Sequence, residues 1–384
     1  MKSNTPGSPV KMKLKVGQVV GIAWMMVAAL GQAAASEDEA GTLFWRGDLR
    51  LRYESDFDGT GVDDRHRGRM RARVGADYQF NPSTKLGARL RTGNRHSQQS
   101  ALLTFVNDQG ADNDPLDFVL DQLYVAFDGS GWNAWAGRNA FPFWKQNELF
   151  WDDDVTLTGA SGDINLMKSP GNLTGSVGVF KLPDGGYGLH GLMSAGQIMY
   201  RVDLAETVRL TSSAGIYRMD GREGASYLRN GNGARDYLIG SISLQLKCNL
   251  GGMPVALGAD CYSNLEDYSP ESPDSFTAMH HDEKDGYVLS IVVGGLDEPG
   301  DWLLGYYNAR IEALAVNASF AQDDWLRFGG RNGQTDSSDF KGHEFRIARA
   351  ISESLNLTAR YFVVDALSGV RGSNRFRLDL NWAF

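Results

Sequence analysis

The chain comprises 384 residues with a formal charge of −9, a mean hydropathy of −0.33, 46 glycines, 11 prolines and 11% aromatic side chains. Past residue 30 no eighteen consecutive apolar residues occur, which excludes a further spanning helix, and the acidic balance argues against nucleic acid as a partner. Glycine and aromatics without much proline favour strands and turns, so the chain is expected to be a β-protein. Either it is soluble, or it is a membrane barrel whose alternating strands hide their hydrophobicity from a sliding window.

Lys2, Lys11, Lys13 and Lys15 precede an apolar run over residues 16–30, which falls short of the roughly 20 residues needed to span a bilayer. Ala33 and Ala35 then stand where a signal peptidase requires small residues. Residues 1–35 are therefore expected to be a signal peptide cleaved after Ala35, leaving one domain over 36–384. Loss of those four lysines, with no acid among them, would move the formal charge from −9 to −13.

In the first strand of that domain, Trp45, Leu49, Leu51 and Tyr53 share one parity, and Arg46, Asp48, Arg50, Arg52 and Glu54 share the other. In the second, Arg67, Arg69, Arg71 and Arg73 alternate with Gly68, Met70, Ala72 and Val74; in the third, Arg89 and Arg91 oppose Leu86, Ala88 and Leu90. A strand's side chains alternate between its faces, and a lipid-facing Arg costs about 2–4 kcal/mol at the bilayer midplane. These arginines are expected to face a water-filled lumen.

The same alternation places strands near residues 43–54, 67–80, 85–93, 118–127, 132–138, 154–163, 172–181, 190–204, 207–218, 235–248, 254–264, 284–294, 301–311, 339–350, 355–364 and 373–384. The expected fold is all-β, a transmembrane antiparallel β-barrel of about sixteen strands, with fourteen or eighteen fitting a similar pattern. Links alternate in length, short at 81–84, 128–131, 205–206, 249–253 and 351–354, long at 55–66, 94–117, 219–234, 265–283 and 312–338. Outer-membrane barrels keep that phase, and a soluble sandwich has no reason to.

The third long connection carries Phe141, Phe143, Trp144, Phe150 and Trp151 with Asp152, Asp153 and Asp154. Such aromatic density suits a loop folded into the lumen, a candidate constriction in which the acids oppose the arginines and Trp144 and Trp151 offer stacking surfaces. The alternative is an interfacial aromatic girdle with solvated acids. Cys248 and Cys261 fall about 20 Å or more apart along a hairpin at about 3.4 Å per residue, so two free thiols are expected. His280 and His281, beside Asp282 and Glu283, suit a solvated loop better than a metal site, since adjacent residues of an extended segment point apart. No nucleophile, phosphate-loop or zinc motif is present, and neither an enzyme nor a cofactor is expected. Ala313, Leu314, Ala315, Val316 and Ala318 suit a short helix within residues 311–321.

Near the end Arg360, Arg375 and Arg377 join the basic face, and closure would set the last strand beside Arg46, Arg50 and Arg52. A basic lumen attracts anions; neutralisation by Asp48, Glu54 and Asp77 is the competing reading. Phe376, Leu378, Leu380, Trp382 and Phe384 take the lipid-facing parity, and the aromatic ending of Trp382 and Phe384 resembles the assembly signal of bacterial outer-membrane barrels.

The run from Gly137, Arg138 and Asn139 through Phe143 and Trp144 to Leu149, Phe150, Trp151, Asp152, Asp153 and Asp154 resembles a motif of the putative porin family of Gram-negative bacteria. Lys341 to Phe345, with Leu355 to Thr358 and Tyr361, Phe362, is similar to that family's penultimate hairpin. The arginine-lined barrel is also similar, more distantly, to alginate-export porins. The resemblance implies a channel in the bacterial outer membrane. The expected function is passive diffusion of small hydrophilic solutes with an anion bias; a selective channel for acidic sugars or oligosaccharides is the alternative, and an outer-membrane barrel enzyme comes third. Expected partners are outer-membrane lipid and lipopolysaccharide, the barrel assembly machinery and the solutes themselves, with a homotrimer left open.

Overall fold

The computed structural model describes residues 41–59, 63–94, 99–109, 116–183, 189–221, 235–325, 337–368 and 372–384. The expected signal peptide lies outside the described residues. The strands are β1 (Thr42–Phe57), β2 (Arg65–Asn81), β3 (Thr84–Thr92), β4 (Leu103–Asn107), β5 (Phe118–Gly129), β6 (Trp132–Asn139), β7 (Leu157–Met167), β8 (Asn172–Pro183), β9 (Leu189–Ala205), β10 (Val208–Asp220), β11 (Tyr237–Leu250), β12 (Met253–Asn264), β13 (Asp285–Gly294), β14 (Trp302–Ile311), β15 (Phe340–Ser352), β16 (Leu355–Ala366) and β17 (Gly372–Ala383). All pairings are antiparallel, and β17 pairs with β1, so the sheet closes and no edge is left for the bilayer to solvate.

β2 pairs with β3 from Arg73 to Asn81 and with β4 from Met70 to Arg67, so β3 and β4 form one stave interrupted by an excursion. The barrel thus has 16 positions. β4 was not foreseen: it is five residues long, with Leu103 and Thr104 both buried and Phe105 and Val106 both exposed, and so shows no alternation.

On β1, Arg52, Glu54 and Asp56 are buried inside while Leu43, Trp45, Leu51 and Tyr53 are exposed outside, which is the expected parity. Short turns close one end; in that between β11 and β12, Gly251 and Gly252 both have positive φ, as a tight hairpin matched to strand twist requires. Both cysteines are free, Cys248 lying across from Val255 and Cys261 from Ile242.

The interior is not empty. The β6–β7 connection brings Trp151 and Phe150 against inward-facing Tyr217 of β10 and Tyr262 of β12, while its Asp154 reaches Arg71 and Arg73 of β2. The start of the β14–β15 connection folds in beside it: Ala315, Val316, Phe320, Ala321 and Trp325 join the same apolar cluster. The helix expected over 311–321 is not formed; this stretch is a series of turns whose apolar side chains are buried on all sides. A helix occurs instead as α1 (Ser275–His280), with Asp274 accepting from the Phe276 and Thr277 amides as its cap.

Candidate functional site

β1 supplies the axis of the charged wall, because its inward row carries both signs: Arg46, Asp48, Arg50, Arg52, Glu54, Asp56. The register then sets Glu54 opposite Arg67 on β2 and Arg377 on β17, and Asp56 opposite Arg65 and Arg375. Glu54 pairs with Arg67, with Arg377 at 2.7 Å and with Arg69 at 3.5 Å. Arg375 pairs with Asp56, and Arg52 holds Asp379 at 2.6 Å.

Asp48 receives both Arg71 (2.9 Å) and Arg73 (2.6 Å), Asp77 receives Arg46 at 3.1 Å, and Glu344 receives Arg360 at 2.8 Å. Asp121 is shared by Arg89 and Arg91, the latter at 3.5 Å. All twelve arginines singled out in the sequence lie along this wall, and eleven touch a carboxylate. Arg50 is the exception among the described residues; its Nε donates to Asn381 Oδ1 at 2.6 Å.

The β6–β7 loop completes the site. Its Trp151 is wholly enclosed, stacked between Phe141 (centroids 4.8 Å apart) and Phe320 (5.1 Å), with its indole N–H donated to the Val155 carbonyl. Trp151 therefore anchors the loop and offers no surface to a solute, contrary to its expected stacking role; the aromatics lie inside the barrel, not in an interfacial girdle. Trp144 is held through its backbone by Gln197, which accepts from its N–H and donates to its carbonyl.

The three acids of the loop take separate roles. Asp154 bridges Arg71 at 3.2 Å and Arg73 at 3.0 Å; burial opposes its charge, but the guanidiniums outweigh that and hold its carboxyl below the ordinary range. Asp153 is exposed and pairs with Lys145 at 2.5 Å. Asp152 is buried, its amide donating to Phe320 O, and burial together with Glu148 pushes its carboxyl well up. Burial and Asp153 likewise raise Glu148.

The β14–β15 loop was not recognised as a site. Asp324 meets Arg377, Arg360 at 2.9 Å and Arg52 at 3.9 Å, which keep its carboxyl well down against the cost of burial. Arg375 also donates to the Asp323 and Asp324 carbonyls. A usable signal existed: Phe320 to Trp325 repeats, with Asp323 and Asp324, the aromatic-plus-acid pattern of residues 150–154. Gln99, in the excursion between β3 and β4, donates to the Ala318 carbonyl at 2.7 Å and to Ala321 O, binding a third segment to the inserted pair.

Two adjoining cavities lie among the described residues inside the barrel. One, of about 280 Å³, lies between wall arginines such as Arg50, Arg71 and Arg360 and the loop acids Asp154, Asp323 and Asp324. The other, of about 400 Å³, is lined by Trp144, Lys145, Tyr307, Trp325 and Arg346, with the Arg346 guanidinium 4.8 Å over the Tyr307 ring. They share Glu148, Asp153, Gln322 and Arg346. Among the described residues no group of His, Cys, Asp and Glu is placed to hold a metal ion, and His280 turns to Glu283 at 2.9 Å.

Residues 59–188 match the family described as putative porin. OprB of Pseudomonas putida (high-pH structure) superposes with a TM-score of 0.60 at 12% identity, covering 97% of this chain and 98% of that one. A loop-deletion mutant of OmpT of Vibrio cholerae gives 0.52 at 12% identity (90% and 100% covered), and OccAB4 of Acinetobacter baumannii 0.50 at 11% (91% and 100%). At such identities the likeness establishes the fold alone. Among curated proteins none matches this sequence. The family match and the closed barrel with its apolar outer face indicate the bacterial outer membrane.

Proposed function

We propose that this outer-membrane channel passes small hydrophilic solutes by passive diffusion and prefers anions. The observation carrying the preference is that carboxylates on the wall are shared: Glu54 serves Arg67, Arg69 and Arg377, Asp121 serves Arg89 and Arg91, and Arg50 has none. Basic charge is left in excess beside the water path, and field in a low-dielectric-walled pore is concentrated there. Loop acids facing the same cavity, Asp153 and Asp323 among them, moderate that excess. The family match and the fold favour a channel over an enzyme.

Reversal potential in a potassium chloride gradient across a planar bilayer tests the reading. Chloride preference is expected; cation preference would overturn it. A second reading, selectivity for acidic sugars, is favoured by the larger cavity, where Trp144 and Trp325 stand near Lys145 and Arg346. Cleavage after Ala35, recognition of Trp382 and Phe384 by the assembly machinery and contact with lipopolysaccharide belong to the same proposal. So does a homotrimer, since OmpT of Vibrio cholerae has a trimer form.

A further inference from the structure

We propose that the smaller cavity contains a binding subsite for small carboxylates, centred on Arg50. The proposal rests on the channel reading above and gives it a solute class. On β1 the register places Arg50 level with Asn381 of β17 on one side and Arg71 of β2 on the other. Arg71 is committed twice, to Asp48 and to Asp154. Asn381 spends its oxygen on Arg50 Nε and its amide N–H on Asn356 Oδ1 at 2.9 Å.

That leaves the two terminal nitrogens of Arg50 without a hydrogen-bond or ion-pair partner among the described residues, on a side chain that lines the cavity. A guanidinium edge in this state is a planar two-donor fork, which the paired oxygens of a carboxylate or a phosphate match. The rest of the cavity sharpens the class. The Thr358 hydroxyl is already donated to Asn356 Oδ1 at 3.1 Å, while Leu303 and Ala348 add apolar surface. A carboxylate borne on a short hydrocarbon body meets the fork at one end and these apolar side chains at the other. Chloride makes no bidentate contact.

The neighbouring arginines do not offer the same site. Arg52, Arg73 and Arg360 on the same cavity are each paired with a carboxylate, so a solute anion there would compete with a tethered one. Arg50 hydrogen-bonds no carboxylate among the described residues, so a solute anion need displace none from it. The larger cavity adjoins this one across Glu148, Asp153, Gln322 and Arg346.

The test compares single-channel current in potassium acetate, potassium phosphate and potassium chloride over a range of concentrations. Wild-type acetate current should saturate while chloride current keeps rising. Arg50→Gln should raise the half-saturating acetate concentration about tenfold or more, the loss of one charge-assisted pair. Arg50→Lys should keep chloride preference but lose most of the saturation, because an ammonium has no fork. Arg209→Gln, at the exposed pair with Asp203 by the β9–β10 turn, should behave as wild type. Absence of acetate saturation in wild type, unchanged saturation in folded Arg50→Gln, or saturation by phosphate below acetate would each overturn the subsite. Failure of the parent reading is separate: it would show as no anion preference in chloride, whatever acetate does.

Discussion

Glu54 and Trp151 are both fully enclosed within the barrel, yet their surroundings have nothing in common. Glu54 sits where β17, β1 and β2 meet, among guanidiniums supplied by three strands. Trp151 sits under β8, β10 and β12, where the inward side chains are Phe180, Tyr217 and Tyr262 and the space is filled by two loops. A cationic wall cannot be covered by apolar loops, because a charge removed from water must find a partner. An aromatic wall cannot be left to water without losing the burial that orders it. The lumen is therefore divided lengthwise, charge networks on one side and an aromatic plug on the other, with the cavities running along the seam.

The largest way to break this division is from the apolar side. Trp151→Ala removes the plate between Phe141 and Phe320 and should cost about 3–5 kcal/mol. It should lower the temperature of the heat-modifiable gel shift and raise single-channel conductance as the loops leave the wall; an unchanged conductance would mean that the plug does not narrow the path.

Asp324→Asn attacks the seam. It leaves Arg377, Arg360 and Arg52 with fewer counter-charges and releases the β14–β15 loop, at a cost of about 3 kcal/mol, the lower end for breaking a buried ion pair. Anion preference should rise while thermal stability falls, so a fall in both would contradict the assignment of Asp324 as the clamp.

Removing Phe384 should reduce outer-membrane yield more than Asn381→Ala does. The Phe384 ring lies over Gly47, where a Cβ would come within 2.5 Å of it, and the backbones of Gly47 and Phe384 bond in both directions. Equal yields would remove Phe384 from closure.

The smallest effect concerns pH. Glu148 and Asp152 have raised pKa values, so their contribution to stability is present below the ordinary carboxyl values, 4.5 and 3.8, and is lost as pH rises through the raised ones. Glu148→Gln should flatten that decline in melting temperature above pH 4.5; a steeper decline would show that Glu148 is stabilised by ionisation.

The strands were legible because a barrel with one face on lipid and one on water enforces a period of two, and the Arg67 to Arg73 run could point only one way. The β6–β7 loop was half legible: its aromatic density suited either a loop in the lumen or an interfacial girdle, and its packing against Tyr217 and Tyr262 decides between them. The role of Trp151 was not, since a sequence cannot tell a ring facing a cavity from one facing Phe141 and Phe320. Residues 311–321 were misread because apolarity from burial on all sides looks like helix-forming composition when the loop's destination is unknown. Gln99 carries no signal at all: its partners are backbone carbonyls more than two hundred residues away.

The claim that the charged half sets selectivity is tested most directly by Arg69→Gln with Arg71→Gln, whose reversal potential is compared with wild type in one salt gradient at low ionic strength, where screening is weakest. Gln keeps an unbranched polar side chain, shorter than Arg, and two lumen charges are lost. With equal folded yield, the double mutant should shift toward cations. Identical reversal potentials would contradict the account, because they would mean that shared carboxylates already neutralise the wall.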